Sequence, residues 1–166
     1  LRIPSDWGLE IGVLSEVRRN YNAHSMAQVE IADTYDHKHQ DISLDNQKKG
    51  LNRMSMDISK AIFRKLATDG EVFSIEKFRT LKATYYREAL DKIDSFYNDA
   101  AMNGLKIDRH SEEAAVELFA SNIMKAGEMF LKNPMETPFL PSWSRVYSAL
   151  PDIMDRLAEA VSLDNV

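Results

Sequence analysis

The sequence predicts a mainly helical chain that opens with a short α/β segment. From Leu44 onward, apolar residues recur at steps of three and four, which is the spacing of amphipathic helices. Before that point, residues 27–32 (AQVEIA) alternate in polarity and contain β-branched side chains, as a short strand does. The hydrophobic fraction of 44% and the charged fraction of 28% are those of a globular protein. We therefore expect two parts, residues 1–43 and residues 44–166.

Length, charge and composition exclude several classes of protein. At 166 residues the chain can bury a core without disulfides, and it contains no cysteine for disulfides, thiolate zinc sites or nucleophilic catalysis. A net charge of −5 without a basic cluster argues against nucleic-acid binding. No apolar run is long enough to cross a bilayer, and no signal-peptide pattern precedes the first segment. We therefore expect a cytoplasmic protein with no membrane or nucleic-acid partner.

The first helix is expected to begin just after Ser5 or Asp6, either of which can act as its N-cap. Glu10 falls in or just after the first turn, where a carboxylate complements the helix dipole. Gly8 and Gly12 lie four residues apart on one face, so another backbone or a substrate can approach closely. After the strand, residues 33–41 are polar and acidic and are expected to form a loop.

Three longer helices are expected in the second part. Asp69 and Gly70 end the first of them, whose apolar stripe is Leu51, Met54, Ile58, Ile62 and Leu66. Ser74 caps the second, which extends to Asn103 over about 28 residues, or about 40 Å at the usual rise per residue. Ser111 is expected to begin the third. Long amphipathic helices of this kind often form dimer interfaces, and we therefore predict a homodimer.

The C-terminal region is expected to contain a linker and two shorter helices. Residues 133–141 hold three of the five prolines, which is typical of a linker or an extended arm. Ser142 can cap a short helix, and Pro151 occupies the position expected in a first helical turn of another.

Two features of the opening segment are candidates for chemistry, and each has a structural alternative. His37 and His39 are two residues apart in the loop, so both imidazoles can face one metal ion, with acidic neighbours that suit Mg²⁺ or Mn²⁺. The alternative is a solvated loop whose histidines bind backbone carbonyls. Glu10 is either a functional carboxylate or a partner of the helix dipole. The residue pattern alone leaves both alternatives open.

Taken together, these motifs resemble those of the glucosyl-3-phosphoglycerate synthases, which are retaining glycosyltransferases with a nucleotide-diphospho-sugar-binding GT-A fold. The shared pattern is a helix start of the form G-x-E-x-G-x-L at residues 8–14, then Q-V-x-I at residues 28–31, then a loop with His37. Their order and spacing match between Arg2 and Gln40. The resemblance implies that residues 1–43 are the C-terminal end of a GT-A catalytic domain and residues 44–166 a helical extension.

The resemblance also implies roles for individual residues. His37 is expected to bind the Mg²⁺ or Mn²⁺ that bridges the donor diphosphate and neutralises the leaving group. Glu10 is expected to be the catalytic-site carboxylate that orients hydroxyls of the acceptor. The substrate-binding residues are expected to be Gly8, Lys38, His39 and Gln40. Where some members of the family place arginines around the metal histidine, this chain has Tyr35 and Gln40, which puts the diphosphate contacts in question.

The function implied by the resemblance is transfer of glucose from UDP-glucose or GDP-glucose to 3-phosphoglycerate. The Asp-x-Asp metal motif of the nucleotide-binding half is absent from the chain, and the chain enters its densest motif immediately after Leu1. We therefore expect the C-terminal part of a longer protein, inactive without the N-terminal GT-A half. The alternatives are a transferase that uses mannose or glycerate, and a helical interaction module without chemistry of its own.

Overall fold

The computed structural model describes residues 3–32, 40–136 and 139–164 of the chain. A single turn of 3-10 helix occupies Ala23–Ser25. The α-helices of the described part are α1 (Leu9–Asn20), α2 (Gly50–Thr68), α3 (Ile75–Met102), α4 (Arg109–Lys132), α5 (Trp143–Ala149) and α6 (Ile153–Asp164). The mainly helical fold predicted from the sequence is thus confirmed.

Most helix boundaries lie where the capping residues predict them. The Ser74 hydroxyl accepts a hydrogen bond from the backbone N–H of Lys77 at the start of α3. That helix has the expected 28 residues and ends at Met102, immediately before Asn103. The Ser142 hydroxyl caps α5 in the same way, accepting from the N–H of Arg145. These confirmed positions show that side-chain oxygens able to accept from the first free N–H groups locate helix starts well.

The start of α4 was predicted incorrectly. Asp108, rather than Ser111, is the N-cap, and its carboxylate accepts hydrogen bonds from the N–H groups of His110 and Ser111. An aspartate has the stronger acceptor and complements the positive end of the helix dipole, so the helix begins earlier than predicted.

The first helix begins slightly later than expected. Gly8 is the N-cap of α1 and makes no side-chain capping bond. Asp6 shapes the turn before it, because its carboxylate accepts from the N–H of Gly8 at 2.9 Å and its carbonyl from the N–H of Leu9 at 3.0 Å. Glu10 is in the first turn of the helix, as predicted.

The core lies among α2, α3 and α4, with α4 packed against both of the others and α1 packed against α2. It is built from aromatic rings that pack in stacked and tilted pairs: Phe63, Phe73, Phe78 and Phe130. Phe78 is fully buried, and its ring centroid lies 4.7 Å from that of Phe63. Gly127 lets the Phe78 ring pack directly against α4, because a Cβ atom there would lie 2.5 Å from Cγ of Phe78.

The apolar stripe predicted for α2 does not form the centre of the core. Ile62 and Leu66 are 37% and 42% exposed, whereas Asn52, Met56 and Phe63 are buried. Three stripe residues instead line an open groove of about 300 Å³ between α2, α3 and α4. The residues around this groove are Leu51, Met54, Ser55, Ile58, Ser59, Tyr85, Phe119 and Ile123.

The strand predicted at residues 27–32 is wrong for the structure of this chain. These residues form neither helix nor strand, and all are exposed, with Val29 at 74% and Ile31 at 84%. A strand needs a neighbouring backbone to bond to, and the described residues supply none here. The only β-type pairing in the described part is an isolated antiparallel bridge between Pro4 and Phe139. The short α/β opening is therefore not observed.

The C-terminal helices contribute no buried residue to this core. Every residue of α5 and α6 is exposed or only partly buried, including Trp143 at 60% and Val161 at 60%. The predicted linker at residues 133–141 is non-helical where it is described, and the N–H of Leu140 donates to the carbonyl of Ile3 at 2.8 Å. Within the described ranges, no helix is long and apolar enough to cross a membrane.

Candidate functional site

Three of the six predicted site residues can be placed in the structure. Gly8, Glu10 and Gln40 are described, whereas His37, Lys38 and His39 lie outside the described residues. Glu10 and Gln40 are not joined by a hydrogen bond in the described part of the chain. Their roles therefore remain predictions, and the structure supplies the surroundings in which those roles can be judged.

Glu10 is exposed at the N-terminal end of α1. The structure assigns its side chain no hydrogen bond or ion pair within residues 3–32, 40–136 and 139–164. The helix start has no side-chain cap, and Glu10 lies in the first turn, at the positive end of the helix dipole. Such a place suits both a partner of the helix dipole and a carboxylate that binds hydroxyl groups.

Gly8 is buried, and it has a packing role that is independent of any ligand. A Cβ atom at this position would lie 2.5 Å from Cβ of Ala61 on α2 and 3.1 Å from the carboxylate of Asp6. Only glycine allows the start of α1 to rest so closely on α2. Because Gly8 has no side chain, the start of α1, which includes Glu10, packs directly against α2.

Helix α1 also contains an internal salt bridge with a buried carboxylate. Glu16 is buried, and its carboxylate forms a salt bridge with Arg19 at 2.8 Å. The hydrogen bond to Glu16 raises the pKa of Arg19 above its ordinary value, so the guanidinium keeps its charge. A groove of about 550 Å³ between α1 and α2 is lined by Arg18, Arg19 and Lys65.

The sequence analysis did not identify this groove as a candidate site. Arg19 is neutralised by Glu16, and Lys65 by Asp69 at 3.2 Å. Arg18 is exposed and has no ion pair in the part of the chain that the structure describes. It is thus the cation of this groove that remains available to an anionic ligand. Adjacent arginines at the end of a helix are the sequence signal, although helix ends often carry them for dipole reasons alone.

Gln40 is partly buried and leads directly into a segment bound to the bundle. The carbonyl of Asp41 accepts from the N–H of Leu51 at 2.8 Å. The side-chain amide of Asn52 donates to the carbonyl of Ser43 at 3.0 Å. Gln40 is therefore attached to a segment whose backbone is fixed on the first turn of α2.

The described residues contain no group of three His, Asp or Glu side chains close enough to hold a metal ion. His37, the predicted metal ligand, is not among them. The described part therefore does not by itself fit a complete metal site, and any ion bound through His37 needs further ligands.

Comparison with known proteins identifies two relatives that match almost the whole chain. Over 165 residues, or 99% of the chain, it is 44% identical to glucosyl-3-phosphoglycerate synthase from Persephonella marina, and this match covers 41% of that protein. It is 38% identical over 166 residues to glucosyl-3-phosphoglycerate synthase from Methanococcoides burtonii, covering 40% of it. No protein-family model matches the chain, and no solved structure does.

These matches confirm the resemblance inferred from the two motifs, and they extend it. The motifs cover only residues 2–40, whereas the similarity also includes the helices up to the C-terminal region. The chain spans about two fifths of the length of the curated relatives it matches.

Proposed function

We propose that this chain is the C-terminal part of a metal-dependent retaining glycosyltransferase that moves glucose from a nucleoside-diphosphate donor to 3-phosphoglycerate. The observation that carries the proposal is the similarity over 99% of the chain to two proteins named glucosyl-3-phosphoglycerate synthase. The proposed division places the end of a GT-A domain at residues 1–43 and a helical extension at residues 44–166. Both relatives are more than twice as long as the match, so the donor pocket is proposed to lie in the part that this chain does not cover.

The opening segment supplies the acceptor side in this proposal. Glu10 is exposed at the start of α1 and has no ion pair among the described residues, so its carboxylate is available to accept hydrogen bonds from acceptor hydroxyls. Its backbone position is fixed because Gly8 packs on Ala61. A group that must orient a sugar acceptor benefits from such a rigid support, because catalysis by positioning is lost with small displacements. Gly8, Lys38, His39 and Gln40 are proposed to bind substrate around it.

His37 is proposed as the ligand that this chain contributes to Mg²⁺ or Mn²⁺. A divalent cation, when bound, stabilises the negative charge that develops on the leaving diphosphate. Residues 40–44, which follow the predicted metal loop, are bonded to α2, and this supports a defined position for the end of that loop.

The proposal is tested by assaying the full-length protein with a matrix of donors and acceptors. UDP-glucose, GDP-glucose and GDP-mannose are each combined with 3-phosphoglycerate and with glycerate, and the anomeric configuration of the product is read by NMR. We expect transfer of glucose to 3-phosphoglycerate with retention, loss of turnover with a chelator, and recovery with Mg²⁺ or Mn²⁺. No transfer in any combination would refute the proposed function. Transfer of mannose, or transfer to glycerate alone, would show that the proposed substrates are wrong and that the proposed reaction class is right.

A helical interaction module is the second candidate, and exposed apolar side chains support it. Trp143, Leu157 and Val161 are exposed on α5 and α6, and the groove beside Tyr85 is open. Exposed apolar surfaces of this kind often mark protein interfaces. A homodimer is proposed on this basis, and light scattering of the full-length protein at micromolar concentrations tests it. A monomer across that range would contradict the dimer, and a dimer without transferase activity would favour the module.

A further inference from the structure

A group of buried amides lies between α2 and α4, where apolar side chains would be expected. Asn52 and Asn122 are both fully buried. The side-chain NH₂ of Asn122 donates to the Oδ1 of Asn52 at 2.9 Å, to the carbonyl of Asn52 at 3.1 Å and to the hydroxyl of Ser55 at 2.7 Å. The Oδ1 of Asn122 has no partner among the described residues. A polar group that is buried and incompletely bonded lowers stability, so the pair needs another explanation than packing.

The pair is connected to the loop that precedes α2. Asn52 uses its own NH₂ group to donate to the carbonyl of Ser43 at 3.0 Å and, more weakly, to that of Leu44 at 3.4 Å. Asn122 accordingly holds the side chain of Asn52 in the orientation that reaches these two carbonyls. These hydrogen bonds link the middle of α4, through Asn52 on α2, to residues 43–44.

The same segment has an unusual backbone conformation. Ser43 has a φ of 52°, and it is the single non-glycine residue with a positive φ in the described ranges. Gly50 has a φ of 54°, and a Cβ atom there would collide with the carbonyl oxygen of Asp41. The left-handed conformation is unfavourable for a serine, so the surrounding contacts must enforce it. Backbone that is strained and fixed by several bonds is typical of functional segments rather than of simple connections.

We propose that Asn52 and Asn122 are positioning residues that fix residues 40–44 on the helical bundle. This inference rests on the proposed function, in which Gln40 binds substrate and the preceding residues include the metal ligand His37. Among the described residues the pair makes no hydrogen bond to Gln40, and it acts through the carbonyls of Ser43 and Leu44. The bundle formed by α2 and α4 thereby determines where the substrate-binding segment ends.

The test compares a single and a double substitution in the full-length protein. Asn122→Leu leaves the Oδ1 of Asn52 buried without a donor, so it lowers the melting temperature. Asn52→Leu combined with Asn122→Leu removes both amides, and replacing both partners by apolar groups of similar shape restores most of the stability. The double variant nevertheless lacks the donor to Ser43 and Leu44. We expect its kcat/KM to fall by about 10- to 100-fold, as for groups that orient ligands of a metal or substrate.

Hydrogen exchange supplies a readout that does not depend on activity. The N–H of Leu51 bonds to Asp41, and that of Asn46 bonds to Ser43, so both report the state of the loop. We expect faster exchange at these amides in the double variant, with unchanged exchange in α3. Ile93→Ala, in the buried face of α3, is the control for lost stability alone, and it should leave loop exchange and kcat/KM unchanged.

Leu51→Pro provides a second way to release the loop if the double variant does not fold. Proline is tolerated in the first turn of a helix, and it removes the N–H that binds Asp41 without changing either asparagine. It should reproduce the faster exchange at Asn46 and the loss of kcat/KM. Variants that release the loop and keep full activity would overturn the inference, as would variants that lose activity with loop exchange unchanged. If the unmodified protein transfers no sugar, the proposed function fails, and the exchange data still decide whether the pair holds the loop.

Discussion

The helical bundle and the stretch at residues 21–32 place their apolar side chains in opposite environments. In the bundle, Phe78 is fully buried against Phe63 and Gly127. In the stretch, Val29 and Ile31 are 74% and 84% exposed, although they alternate with polar residues as strand residues do. Both patterns are clear in the sequence, but only the first is satisfied within the described part of the chain.

The difference arises from where each element finds its partners. A helix forms its backbone hydrogen bonds within itself, so α2, α3 and α4 need only one another to bury their apolar faces. A strand must bond to another backbone, and the described residues place none beside residues 27–32. We therefore expect another part of the full-length protein to pack against the exposed stretch. The predicted active-site residues lie on both sides of this stretch in the sequence.

The largest expected effect contrasts Phe78→Ala with Val29→Ala in the 166-residue chain. Removing the buried ring leaves a cavity and should lower the free energy of unfolding by about 3–5 kcal/mol. Removing the exposed valine should change it by no more than about 0.5 kcal/mol. Urea denaturation followed by far-UV circular dichroism measures both. Similar losses for the two variants would show that the stretch is packed within this chain.

The second contrast compares two histidines in the full-length protein. His37→Ala should lower metal-dependent turnover by at least about 100-fold, since even groups outside the first ligand shell cost 10- to 100-fold. His110→Ala, at an exposed position in the first turn of α4, is the matched control and should leave turnover unchanged. The metal concentration needed for half-maximal rate is measured for each variant. Equal turnover in both variants would remove His37 from the metal site.

The smallest expected effect compares two exposed glutamates in the first turns of two helices. Glu10 and Glu112 are both exposed in the first turn of a helix, in α1 and α4 respectively. Each substitution to Gln should cost about 0.3–1 kcal/mol of stability through the helix dipole. Only Glu10→Gln should also lower kcat/KM, by about 10- to 100-fold if its carboxylate binds an acceptor hydroxyl. Unchanged kcat/KM would leave Glu10 as a dipole partner.

Much of the fold could be predicted because its determinants are local. The caps at Ser74 and Ser142 and the end of α3 at Asn103 depend on residues within a few positions, and they were predicted correctly. The start of α4 was predicted late because Asp108 competes with Ser111 as a cap. The buried face of α2 was also missed, because Asn52 takes part in it through a contact with Asn122 that is 70 residues away.

The candidate site could be predicted only as a set of residue types. The motifs and the resemblance predict Glu10 and Gln40 as site residues, but no local pattern indicates which residues lie opposite them. The prediction of a strand at residues 27–32 was wrong for the same reason. Alternating side chains indicate which face would be buried, but they do not show whether a neighbouring backbone is present to form hydrogen bonds. Asn52 and Asn122 were not identified, because isolated asparagines in a helical pattern give no signal until their burial is known.

Hydrogen exchange at residues 27–32 tests most directly the claim that this stretch is completed by protein outside the present chain. The amide exchange rates are measured by mass spectrometry in the 166-residue chain and in the full-length protein, with the core amides of α3 as an internal reference. We expect fast exchange of residues 27–32 in the 166-residue chain and strong protection in the full-length protein, with α3 protected in both. Fast exchange of residues 27–32 in both proteins would contradict the account.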